Sequence, residues 1–153
     1  MGGFSADKSR AHAGASAHGG ELGVRGGRVV LPTGDLGTGQ LMAILELLPC
    51  DLTFVDADDV VQFFSLGVGL YPRPLECLGR SVYECHPERT RETVRRTIQS
   101  FRDGSRDFVD MWTRSDEGPV RVRYCAVRGD DGSYLGSLEI AQPFGDVLER
   151  LMG

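Results

Sequence analysis

The eight residues VRVRYCAV, Val120 to Val127, alternate without a break. Val120, Val122, Tyr124 and Ala126 fall on one side of an extended chain, with Arg121, Arg123 and Cys125 on the other. A period of two residues does not fit a helix. It calls for a sheet with one buried and one wetted face. A single strand is not stable alone, so its partners must come from the rest of the sequence. Two stand next to it: DFVDMWT before the turn SDEGP, and SYLGSLEIAQ after the turn GDDG. Such Gly- and Asp-bearing turns close antiparallel hairpins.

Further upstream, DLTFVD and VVQFFS flank the tight turn ADD and read as a second hairpin. Between the two groups of strands lies the clearest helix, ERTRETVRRTIQSFRDG. Val94, Ile98 and Phe101 recur at helical spacing, Arg91, Glu92, Arg95, Arg96 and Arg102 fill the opposite face, and Gly104 marks the stop. The segment LGVGLYPRPLE carries two prolines and two glycines that permit only short helical turns. TGQLMAILELLP predicts a helix with Thr38 as N-cap, Leu41, Ile44, Leu45 and Leu48 on one face, and Pro49 as terminator. GDVLERLM predicts a closing helix. Strands on both sides of a helical block imply an α+β fold. A five-stranded antiparallel sheet is covered on one face by that block and flanked by the N-terminal helix.

Residues 1–34 are rich in Gly, Ala and Ser and show no sustained period, so they are expected to form a disordered tail before a domain over residues 35–153. Within the tail only RVVLP suggests a short strand. His12 and His18 also fall there and read as solvated side chains. A chain of 153 residues has room for one domain with a proper core. Its charge is uneven. The first 37 residues hold Lys8, Arg10, Arg25 and Arg28 against Asp7, Glu21 and Asp35, so the net −5 of the whole, and one unit more, lies in the remainder. An acidic domain is poorly suited to nucleic acid or to an anionic membrane surface, since phosphate affinity rests on cationic contacts. The apolar runs are too short to span a bilayer, and no secretory pattern opens the sequence, so a cytoplasmic protein is expected. Cys50, Cys77, Cys85 and Cys125 form no CxxC pair and are then reduced thiols. The one lysine, Lys8, lies in the tail, which argues against Schiff-base chemistry in the domain.

The stretches LPCDLTFVDADDVVQFFS, YPRPLECLGRSVYECHPERT and RYCAVRGDDGSYLGSLEIAQ, in this order, resemble a PAS domain over roughly residues 38–147. They resemble in particular the subfamily found C-terminal to hemerythrin-like domains in bacterial and archaeal proteins of unknown function. The resemblance implies a sensor or interaction module in signal transduction, with no catalytic residues. A small cavity would bind an unidentified ligand, and the output would pass through a homodimer or a separate signalling partner protein. The apolar face of the 38–48 helix would build the dimer, because Val127 and Leu135 would otherwise leave apolar side chains on an open sheet face.

Within GRSVYECHPERTRET, Pro87 and Glu88 suit the first turn of a helix, which places His86 at or near its N-cap as a hinge residue. The alternative is a haem- or metal-binding redox or gas sensor using His86 as ligand. PAS relatives that carry haem set their histidine further into the long helix, where Thr93 and Val94 stand here. YECHPER does not match the cysteine motif of the flavin-binding relatives. Adjacent side chains diverge, so Cys85 and His86 make an awkward catalytic dyad. The expected cavity lining is drawn from Phe54, Phe63, Tyr83, His86, Trp112 and Tyr124, with Met111 in place of Trp112 if the register moves by one. Arg73 and Arg80 would bind an anionic group or pair with Asp56, Asp58 or Asp59, and Glu139 is expected on the solvent or dimer side.

Overall fold

The computed structural model describes residues 23–153, and the expectations for His12, His18 and the rest of residues 1–22 lie outside them. The chain divides into two compact units, one ending at Ile44 and one spanning Leu45–Gly153.

The described part of the first unit is a three-stranded antiparallel meander, β1 (Gly23–Arg25), β2 (Arg28–Leu31) and β3 (Gly34–Gly37). Composition predicts a disordered tail through residue 34, with RVVLP as its one strand, yet three strands stand between residues 23 and 37. The cause is local turn chemistry. Gly26 and Gly27 both take positive φ (55° and 73°), as a two-residue hairpin requires, and Arg28 donates to the Asp35 carboxylate across β2 and β3. Helix α1 (Thr38–Leu47) starts at Thr38 itself. The amide of Gly37 is capped by Gln40 Oε1 at 2.8 Å, so Thr38 is not the N-cap.

The second unit holds the expected five-stranded antiparallel sheet, in the order β5-β4-β8-β7-β6. Its strands are β4 (Asp51–Asp56), β5 (Val61–Phe64), β6 (Phe108–Ser115), β7 (Gly118–Arg128) and β8 (Tyr134–Pro143). Helix α2 (Glu88–Arg102) lies across β7 and β8. It follows a short 3-10 turn (Leu75–Cys77) and begins after Pro87, and its end is closed by Gly104 at φ 76°. Helix α3 (Gly145–Met152) follows β8 and packs on β7. No helix among the described residues is long and apolar enough to cross a membrane.

The core lies between the sheet and α2. Val55, Val61, Phe64, Val82 and Ile98 form one buried cluster, and Val120, Val122 and Ala141 form another. Phe101, on the buried stripe of α2, is fully enclosed. The turn between β4 and β5 depends on Asp56, whose Oδ1 accepts from the amides of Asp58 and Val60, and Asp59 sits there at φ 64°.

β8 runs between β4 and β7, and at Gly136 the neighbouring backbone comes very close. Gly136 has φ 148°, and a Cβ there would stand 2.2 Å from the Val55 carbonyl oxygen and 2.9 Å from the Phe54 ring. Both the backbone angle and the lack of space exclude a side chain. Gly136→Ala is therefore expected to lower stability by about 2 kcal/mol or more. Urea denaturation checks this, and a midpoint like that of the wild type would contradict it.

Candidate functional site

Strand parity decides what faces the space between sheet and helices. On β8, Ser137, Glu139 and Ala141 point inward, while the larger Leu138 and Ile140 point outward. Small or polar side chains on the central strand leave room beneath α2, and a cavity of about 570 Å³ fills that room. This volume lies in the usual range for small-molecule sites. Its apolar wall comes from Val55 and Val61 of the β4–β5 hairpin, Val82, Val94, Ile98 and Phe101 of the helical side, and Val109 and Met111 of β6. Thr53, Tyr124, Ser137 and Glu139 supply polar groups from the sheet, and Thr90, Thr93 and Thr97 line one face of α2.

The polar centre of the cavity is Arg73. The segment that carries it is irregular, but its backbone is anchored. Glu46 accepts from the amides of Leu66 (2.9 Å) and Gly67 (2.7 Å), and the Asp51 carboxylate accepts from those of Gly69 (2.9 Å) and Tyr71 (3.1 Å). Pro72 and Pro74 then hold Arg73 between two restricted residues. From there its guanidinium reaches the sheet. Nε donates to Thr53 Oγ1 at 2.8 Å and Nη2 to Glu139 Oε1 at 2.6 Å. The pair is well covered, with side-chain exposures of 19% and 14%. Tyr124 stands opposite Glu139 in the β7–β8 register. Burial raises the Tyr124 hydroxyl far above the ordinary tyrosine range, and the neighbouring Glu139 charge adds to the effect, so the phenol stays protonated.

Of the six expected lining residues, the structure brings two to the cavity, His86 and Tyr124. The His86 Nδ1 lies 2.8 Å from the carbonyl oxygen of Val82. A carbonyl only accepts, so Nδ1 carries the proton and the ring closes the turn from Val82 to His86, while Arg91 Nε of α2 donates to the His86 carbonyl at 3.2 Å. Phe54 lies between Thr53 and Val55, which both face inward, so its own side chain faces outward over Gly136. Phe63 is its cross-strand partner and shares that outer face. Strict alternation from Val61 places Phe63 inward, but a bulge between β4 and β5 pairs Phe54 with Phe63 and Val55 with Val61, reversing the phase. Tyr83 packs at the edge of the core. Its hydroxyl donates to Asp59 (3.0 Å), the Arg95 guanidinium stacks over the ring, and burial, followed by the Asp59 bond, pushes its pKa up to about 12. Trp112 is 61% exposed on the outer face, tilted at 56° against Phe144 with ring centroids 5.3 Å apart. Its neighbour Met111 takes the inward position.

Three further expectations change. Glu139 faces the cavity, not solvent or a dimer partner, because the outward side of β8 is the apolar one. Arg73 pairs with Glu139, and Arg80 with Glu84 at 3.2 Å, while Asp59 is taken by Arg102 at 2.7 Å. Cys77 and Cys85 line the cavity together. Burial, then its contact with Cys77, pushes the Cys85 thiol up to about 11, which disfavours the nucleophilic thiolate. Among the described residues no group of three or more His, Cys, Asp or Glu is arranged to hold a metal ion. On the outer face, Asp110 accepts from both Arg121 and Arg123, and this pairing holds its carboxyl well below the usual range.

The family profile described as PAS domain matches residues 41–144 of the chain. Among solved structures, the chain is similar to a C-terminal domain from Streptococcus mutans, at 33% identity with a TM-score of 0.75, covering 80% of this chain and 96% of that one. It shares its fold with a PAS domain from Colwellia psychrerythraea, at 14% identity and a TM-score of 0.52, covering 71% and 97% of the two chains. The VqmA dimer of Vibrio cholerae shows the same fold at 16% identity and a TM-score of 0.53, covering 72% and 52%. No curated protein matches the sequence.

The Arg73–Glu139 pair is open to a direct energetic test. Arg73→Met strands the Glu139 carboxylate in a covered wall, with an expected loss of about 1–3 kcal/mol. The double variant Arg73→Met/Glu139→Leu is expected to recover most of that loss. Additive losses in urea denaturation would show that the two side chains do not depend on each other.

Proposed function

Because the chain belongs to the PAS domain family of sensor and signalling modules, we propose that it is a cytoplasmic, non-enzymatic sensor that binds a small organic ligand between its sheet and α2. The observation that carries this reading is the 570 Å³ cavity, whose apolar wall surrounds one fixed polar cluster, Arg73, Thr53, Glu139 and Tyr124. A cavity of this kind orients a ligand through few polar contacts and holds it through apolar burial. We also propose that the chain belongs to the subfamily that follows hemerythrin-like domains, which the three PAS-like sequence stretches resemble. The Streptococcus mutans relative, itself a C-terminal domain, is in keeping with that placement.

Signalling follows from where the polar cluster sits. Glu139 and Tyr124 lie on β8 and β7, and β8 leads directly through Phe144 into α3. The Phe144 amide donates to the carbonyl of Pro119 at the start of β7, so the root of α3 is tied to the strand that carries Tyr124. A ligand that prefers one arrangement of β7 and β8 shifts α3 by no more than its differential affinity for the two arrangements. Leu148, Leu151 and Met152 on α3 are exposed and form the surface through which a second copy or a partner protein reads the shift. The apolar face of α1 contributes to the homodimer, an arrangement for which the VqmA dimer offers a precedent in this fold.

Two measurements test the reading. The uncharged dye Nile red is expected to brighten on adding the protein, and Thr97→Trp, which fills the cavity from α2, is expected to weaken dye binding at least about tenfold while the protein stays folded. Unchanged dye binding in that variant would place the dye elsewhere and remove the cavity from the account. Light scattering is expected to report a dimer that Leu45→Glu converts to a monomer, and a wild-type monomer would contradict the dimer.

A further inference from the structure

Resting on the sensor reading above, we infer that the ligand is an uncharged, mainly apolar molecule that carries a hydrogen-bond acceptor such as a carbonyl. The inference comes from how the cavity disposes of its charges. Three fully charged side chains line it: Arg73, Glu139 and Arg106. Arg73 and Glu139 neutralise each other at 2.6 Å, and both are largely removed from water. Arg106 is exposed at the edge, where water and salt screen it.

An ion brought to the polar cluster meets a charge pair that is already complete. A carboxylate would approach Arg73 only by facing the Glu139 carboxylate across it, in a wall with little water to screen the repulsion. A cation at Glu139 would meet Arg73 in the same way. An uncharged acceptor has no such conflict. A guanidinium offers five N–H donors, and the two bonds to Thr53 and Glu139 leave others free to turn toward a carbonyl. The protonated Tyr124 hydroxyl beside Glu139 adds no charge of its own. The remaining wall is mainly apolar, with His86, Thr93 and Ser137 as its other polar members and the hydroxyls of Thr90 and Thr97 already donated to the carbonyls of Pro87 and Thr93. Of the two lining cations only Arg73 is held away from the rim, and it is the donor placed to fix an acceptor.

A set of three probes of equal chain length separates the possibilities: 2-octanone, octanoate and octylammonium, each titrated calorimetrically or against bound Nile red. The ketone is expected to bind at least tenfold more tightly than either ion. Glu139→Gln, which leaves the Arg73 charge uncompensated, is expected to reverse the order and favour octanoate at least tenfold over its wild-type value. Octanoate binding to the wild type as tightly as the ketone would overturn the inference. If that binding vanished in Arg106→Gln, the correct class would be an amphipathic acid with its head at the rim. If Nile red brightens without entering the cavity and none of the three probes binds at millimolar concentration, the sensor reading itself fails.

Discussion

The central strand β8 puts Ser137, Glu139 and Ala141 on its inner face and Leu138 and Ile140 on its outer face. A sheet beneath a helix normally fills this position with large apolar side chains, which close the interior to near-crystalline density. Here the small and polar residues at the centre leave the space between β8 and α2 unfilled. The buried clusters consequently lie to either side, one around Val55, Val61 and Ile98 and the other around Val120, Val122 and Ala141. The cavity is therefore a product of strand composition, with no need for a special loop or a strained helix.

A gap of that size beside a carboxylate demands a partner, because an isolated charge away from water is costly. Arg73 meets the demand from a loop, and the loop is held by the carboxylates of Glu46 and Asp51 on its backbone amides. The fold thus uses two acidic residues to place one basic residue against a third acid. In the proposed sensor the same arrangement supplies the recognition chemistry, since the completed pair presents spare donors without presenting net charge.

Much of this was legible in the sequence, and what was not has identifiable causes. Alternation in VRVRYCAV identified the inner face of β7, including Tyr124, and the helical spacing of Val94, Ile98 and Phe101 identified the buried stripe of α2. Pro87 and Glu88 mark the helix start by local rules, and the structure has Pro87 as N-cap with His86 one residue before it, bonded back to Val82. Phe63 was misplaced because a bulge changes the side-chain phase and leaves no mark in composition. Aromatic character alone puts Phe54 and Trp112 in the interior, whereas Thr53, Val55 and Met111 hold the inward positions. Glu139 lies opposite Leu138 and Ile140, and periodicity alone makes those large apolar residues the inward side of β8, whereas they point outward and Glu139 inward. The Arg73 pairing joins residues 66 positions apart, and no local pattern announces such a contact. The meander at residues 23–37 was overlooked because overall Gly content outweighed the specific Gly26–Gly27 turn.

The central claim is that the chain holds a small uncharged organic molecule between its sheet and α2. Native mass spectrometry of the protein purified from the organism that makes it tests this most directly, without prior choice of a probe. The account predicts a species heavier than the bare chain by the mass of one small organic molecule, lost on denaturation and absent from Thr97→Trp. A spectrum containing the bare chain alone, or an adduct that persists in Thr97→Trp, would contradict it.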